Sequence, residues 1–99
     1  MIDHIVLLQP KPGLTEPDVE AMRAVVTGLQ QKIPGIAAIH WGPNNSPEGL
    51  GRGYEHGFVV RFVDAAARDA YLPHPEHVAI VPELTTRTDS ILVFDIEHD

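Results

Sequence analysis

No cysteine occurs anywhere in the chain, so no disulfide framework holds it, and thiol usage gives no reading of its redox compartment. Basic residues are few. Seven lysines and arginines are scattered among fourteen acidic residues, for a net charge of -7. Binding to nucleic acid needs clustered cations against phosphate, and this composition argues against it. The same acidity disfavours docking on an anionic membrane surface. No apolar run approaches the roughly 20 residues that span a bilayer. The opening Met1-Ile2-Asp3-His4 enters a strand-like stretch directly, with no basic leader region or cleavage site. These absences lead us to expect a cytoplasmic protein without nucleic-acid or membrane partners.

What is present is ordinary for a folded domain: 99 residues, 43% hydrophobic and 21% charged, with no low-complexity tract. That length supports one hydrophobic core, hence a single domain over residues 1–99. Ile2 to Gln9 is almost continuously apolar and reads as a central strand buried on both faces, with His4 the odd member. Pro10-Lys11-Pro12-Gly13 ends it. Thr15 then suits a helix N-cap, Glu16, Pro17 and Asp18 suit a first turn, and Leu14 can staple against Val19. Val19, Met22, Val26, Leu29 and Ile33 form one apolar stripe, widened by Val25, and Pro34-Gly35 stops the helix.

Ile36 to Trp41 is a second strand, followed by the one long loop, Gly42 to Gly53, which reads as a mobile lid or an ordinary connection. From Tyr54 to Phe62 the chain alternates, with Tyr54, His56, Phe58, Val60 and Phe62 on one face. Asp64 caps a second helix from Ala65 to about Leu72, its inner face built from Ala66, Ala70 and Tyr71. A short helix limited by Pro82 and a last strand, Ser90 to Ile96, complete the chain. Glu83, Asp95, Glu97, His98 and Asp99 read as solvated. The order strand, helix, strand, strand, helix, strand predicts an α+β, ferredoxin-like βαββαβ domain, its four-stranded antiparallel sheet covered by helices on one side. The other side carries bulky residues, too many to leave in water, so a homodimer is expected.

The stretch Tyr71-Leu72-Pro73-His74-Pro75-Glu76-His77 carries the most chemistry. Pro75 suits the first helical position, which makes His74 the cap and holds His77 within a rigid first turn near the positive end of the helix dipole. His74 is also a candidate pocket residue, with capping the simpler role and a place at the dimer interface alongside it. Tyrosine, two residues and His-Pro-x-His, together with His4-Ile5-Val6-Leu7, Trp41-Gly42, Gly53-Tyr54-Glu55-His56 and Leu92-Val93-Phe94-Asp95, resemble the stress-responsive A/B barrel family, the dimeric α+β barrels, along nearly the whole chain. The resemblance implies two protomers joined through their sheets, with a small cavity between each sheet and its helices. One family member, olivetolic acid cyclase, folds a linear polyketide thioester by aldol condensation. Its catalytic tyrosine and histidine fall on Tyr71 and His77, and further pocket histidines fall on His4 and His56.

On that carry-over His77 is a candidate general base, since an imidazole with a pKa near ~6.5 can take a proton from carbon beside a carbonyl. Tyr71 would donate to the developing enolate oxygen. The alternative is that His77 ties a helix start to the sheet and Tyr71 fills space. His4 and His56 either line a pocket or are hydrogen-bonded core histidines. Nothing in the spacing of His4, His56 and His77 makes a tetrahedral metal site, and neither metal nor cofactor is expected. Trp41, Phe58 and Phe62 read as core or interface residues that would also suit an apolar ligand. Three functions stay open: a stress-type or small-molecule-binding module, a cofactor-independent lyase or cyclase on a polyketide-like substrate, and a relative of the cofactor-free monooxygenases.

Overall fold

A computed structural model describes residues 1–99. Its elements are β1 (Ile2–Pro10), α1 (Glu16–Thr27) running into a 3-10 turn (Gly28–Gln31), β2 (Ile36–Pro43), β3 (His56–Phe62), α2 (Ala65–Tyr71), α3 (Pro75–Thr85) and β4 (Thr88–Glu97). The four strands form one sheet in the order β2-β3-β1-β4, every neighbouring pair antiparallel. This is the expected ferredoxin-like fold. The second half-unit carries two helices instead of one, because Leu72 to His74 separates α2 from α3.

Sheet pleat decides which residues meet the helices. Along β1, Ile2, His4, Val6 and Leu8 are buried, while Asp3, Ile5 and Leu7 are only half-buried. The expectation of a strand buried on both faces therefore fails within one chain: the helices cover one face and nothing covers the other. Register carries the same split across the sheet. Ile5 lies between Val59 and Phe94, and Leu7 between Gly57 and Leu92. On the helix side Met22, Val26, Leu29 and Ile33 from α1 and its extension pack with Phe58, Val60, Phe62, Tyr71 and Leu84 into one core.

Local signals explain the helix ends. Thr15 and Asp18 form a reciprocal capping box on α1, satisfying two amides that the first turn leaves free. Asp64 caps α2 by accepting from the amide of Ala67 at 2.8 Å. Two details differ from the sequence reading. In α2 the covered alanines are Ala65 and Ala67, whereas Ala66 and Ala70 are exposed. Ala67 and Tyr71 stand four residues apart and share a face. Gly35 has φ +88°, and a Cβ there would lie 2.6 Å from that of Ala67, so the glycine permits both the turn and the close approach of β2 to α2. Pro82 lies inside α3 and does not end it. Its missing amide removes one helical bond, but its carbonyl still accepts from the Thr86 amide at 3.1 Å.

At one end of the open face Arg61 holds Asp3 through two hydrogen bonds, 2.7 Å from Nε and 3.1 Å from Nη2, and His98 Nε2 lies 3.1 Å from the same carboxylate. The Arg61 hydrogen bonds are the main reason the Asp3 carboxyl is held down to about 2, against 3.8 ordinarily. A depressed carboxylate stabilises the fold above its unfolded value, and the gain is lost as pH falls through the folded one. Asp3→Asn is thus expected to lower stability at pH 7. The difference from the parent should shrink below about pH 4 and disappear only as pH falls through about 2, as read by urea titrations across that range.

Candidate functional site

Three of the histidine and tyrosine candidates converge on the helix side of the sheet. Pro75 starts α3, and His74 caps it by accepting from the Glu76 amide at 3.1 Å through Nδ1. His77 therefore sits in the first turn, with its own amide bonded to the His74 carbonyl at 3.0 Å. Its Nδ1 lies 2.9 Å from the carbonyl oxygen of Leu72, the residue that closes α2. A carbonyl only accepts, so Nδ1 carries the proton, and the lone pair of the neutral ring is on Nε2. The ring packs over Tyr71, centroids 4.2 Å apart and planes tilted by 33°.

Tyr71 is 1% exposed and meets Phe62 at 4.9 Å and His4 at 5.9 Å, each edge-on. Burial alone pushes its phenol up to about 12, so the hydroxyl keeps its proton at neutral pH. His4, buried on β1, donates from Nδ1 to Asp95 Oδ1 at 2.7 Å. Arg68 of α2 donates to Asp95 Oδ2 at 2.9 Å and to Asp69 at 2.9 Å. The carboxylates raise the guanidinium pKa further, Asp95 contributing most. Asp95 is therefore no solvated end residue. It stands opposite His4 in the β1–β4 ladder and links that histidine to α2. Its presence in the apolar run Leu92-Val93-Phe94-Asp95-Ile96 was the available signal.

His56 and His74 lie apart from this cluster. His74 is occupied as a cap. His56, at the start of β3, stacks on Trp41 at 6.5 Å, and Trp41 in turn stacks on Phe58 at 5.5 Å, nearly parallel. The Nδ1 of His56 is buried without a hydrogen-bond partner. Tyr54 has left the strand, and its hydroxyl bonds Ser90 Oγ at 2.9 Å. No three histidine, aspartate or glutamate side chains gather closely enough to hold a metal ion.

The principal hollows do not lie at Tyr71 and His77. Two open beside the start of α1, and the third, about 680 Å³, opens on the bare face of the sheet beneath the β2–β3 loop. His56 borders all three, whereas none is lined by His4, Tyr71, His74 or His77. The cavity expected between sheet and helices is filled at Tyr71 by core side chains: Tyr71, Phe62, Met22, Leu29 and Val26 are among the most completely buried in the chain. What this arrangement offers chemically is a base-competent Nε2 beside a protonated phenol on one side, and an apolar hollow on the other.

Sheet order, helix placement and the uncovered apolar face together define a ferredoxin-like α+β barrel domain. The chain matches the stress responsive A/B barrel domain over residues 2–98 and belongs to that family. It is 31% identical over 94 residues to a stress-response A/B barrel domain-containing protein of Arabidopsis thaliana, covering 95% of this chain and 86% of that one. A dimeric ferredoxin-like protein of unknown function from a Jannaschia species superposes with a TM-score of 0.87 at 33% identity, over 98% of each chain. The hydroxynitrile lyase of Passiflora edulis superposes with a TM-score of 0.89 over 99% and 93% of the two chains. At 21% identity, that is a likeness of fold. No helix is long and apolar enough to cross a membrane.

Proposed function

We propose that this chain is a cytoplasmic, homodimeric small-molecule-binding module, two copies meeting through the bare faces of their sheets. The supporting observation is that face itself. Leu92, Phe94 and Ile96 are 42%, 59% and 43% exposed, in register with half-buried Ile5 and with Asp3 and Leu7 of β1. A contiguous apolar layer of this kind marks an interaction surface, and a two-fold pairing lets one patch cover its own copy. The Jannaschia relative, dimeric and 33% identical, supports the same assembly. The hollow beside that layer, bordered by Ile5, Leu7, Val59 and Leu92, supplies the binding volume. Light scattering at micromolar concentration should return twice the chain mass of 10.9 kDa, and a monomer would sink the reading.

A second reading, a cofactor-independent lyase or cyclase acting on a polyketide-like substrate, draws support from the His77–Tyr71 pair. The Leu72 carbonyl orients His77 with Nε2 free to take a proton, and Tyr71 stays a donor for an enolate oxygen. The fold shared with a hydroxynitrile lyase is compatible with this reading. His77→Ala should abolish turnover of a poly-β-keto thioester while leaving the melting temperature nearly unchanged. A large fall in melting temperature, with no turnover in the parent, would assign His77 to the structure alone.

A further inference from the structure

The hollow on the open face differs in charge from the rest of the molecule. Fourteen acidic residues face seven basic ones in this chain, yet no aspartate or glutamate lines it. Its polar lining includes Arg52, His40 and His56. Arg52 is also the one arginine without an acidic partner. Arg23 lies against Glu20, Arg61 against Asp3, Arg68 against Asp69 and Asp95, and Arg87 against Asp18 and Glu83. In an acid-rich chain an arginine left free at the mouth of an apolar hollow is a vacant half of an ion pair. One further feature marks the place. Arg52 has φ +56°, the only non-glycine residue in the left-handed region, a conformation that costs free energy and that functional loops often retain.

We propose that this hollow binds an amphiphilic carboxylate, its apolar body against Ile5, Leu7, Val59 and Leu92 and its charged head paired with Arg52. The proposal rests on the small-molecule-binding reading above and adds the chemical class of the ligand. The volume, about 680 Å³, falls among those of small-molecule sites, and the lining has their usual form, apolar walls with a few polar groups. A carboxylate offers the geometry that a guanidinium fork pairs with in two parallel bonds. Because the hollow opens on the face proposed to meet a second copy, the partner sheet would exclude water from its mouth and strengthen that pairing.

Octanoate and 1-octanol serve as probes of equal chain length and different head, titrated by calorimetry. Wild-type protein should bind octanoate saturably, and at least about ten-fold more tightly than octanol. Arg52→Gln should weaken octanoate by at least about ten-fold and leave octanol unchanged. Gly42→Leu, placed where an added Cβ meets nothing within 4 Å, should block both probes. If the two probes bind equally and Arg52→Gln changes neither, the carboxylate proposal falls while the binding-module reading stands. If wild-type dimer binds neither probe, both fall.

Discussion

Phe94→Glu is expected to turn the protein from a dimer into a monomer at micromolar concentration, raising the dissociation constant by at least about 100-fold. Phe94 is 59% exposed and stands beside Ile5 in the middle of the uncovered face, where Leu92 and Ile96 flank it along the same side of β4. A buried aromatic at the centre of an interface typically contributes about 2–4 kcal/mol, and a two-fold dimer carries it twice. A carboxylate in its place must be desolvated against an apolar layer, which adds a penalty to the lost contact. Val93→Glu is the matched control. Val93 is 56% exposed and adjacent in sequence, but it stands opposite Val6, so its side chain projects to the helix side. It should stay dimeric. Light scattering over a dilution series separates the two, with far-UV circular dichroism confirming that both fold. If Val93→Glu dissociates and Phe94→Glu does not, the dimer does not form through the bare face of the sheet.

Much of the architecture could be read from local chemistry. The Thr15–Asp18 box, the Asp64 cap and Pro75 after His74 are short-range signals, and each marks a helix start in the structure. Strand alternation placed His56, Phe58, Val60 and Phe62 on one face, and their register partners confirm it. Errors arose where tertiary packing chose between local options. Which alanines of α2 face inward depends on where the helix docks, and the close approach of Ala67 to Gly35 settles that. Proline removes a helical bond, and that is the local signal for an end at Pro82. α3 nevertheless continues for three residues, Leu84 being buried in the core and Thr86 bonding the Pro82 carbonyl. The site divided in the same way. Tyr71 and His77 are six residues apart across one turn, so their proximity was visible. Asp95 lies 91 residues from His4 and meets it only through the β1–β4 register, which no short window contains. The hollow around Arg52 depends on how a twelve-residue connection, Asn44 to Glu55, folds back over the sheet.

Tyr71 should separate packing from chemistry more sharply than any other position. Tyr71→Ala removes the largest fully buried side chain, together with its contacts to Phe62, His4 and His77. Large-to-small changes of this kind cost about 3–5 kcal/mol. A domain of this size has about 5–15 kcal/mol of stability in total, so the variant should sit near its unfolding threshold. Tyr71→Phe keeps the ring and removes only the hydroxyl. Burial is the sole cause raising the phenol to about 12, with no hydrogen bond contributing. Deleting a hydroxyl that gains no bond on folding should therefore leave stability within about 1 kcal/mol of the parent, or slightly above it. Urea midpoints at unchanged slope test both expectations. A loss above about 2 kcal/mol in Tyr71→Phe would mean that the hydroxyl is held in place by a bond to water or a partner copy. If stability is kept, a fall in kcat at unchanged KM in Tyr71→Phe belongs to the transition state and not to the fold, since lost ground-state binding would raise KM instead.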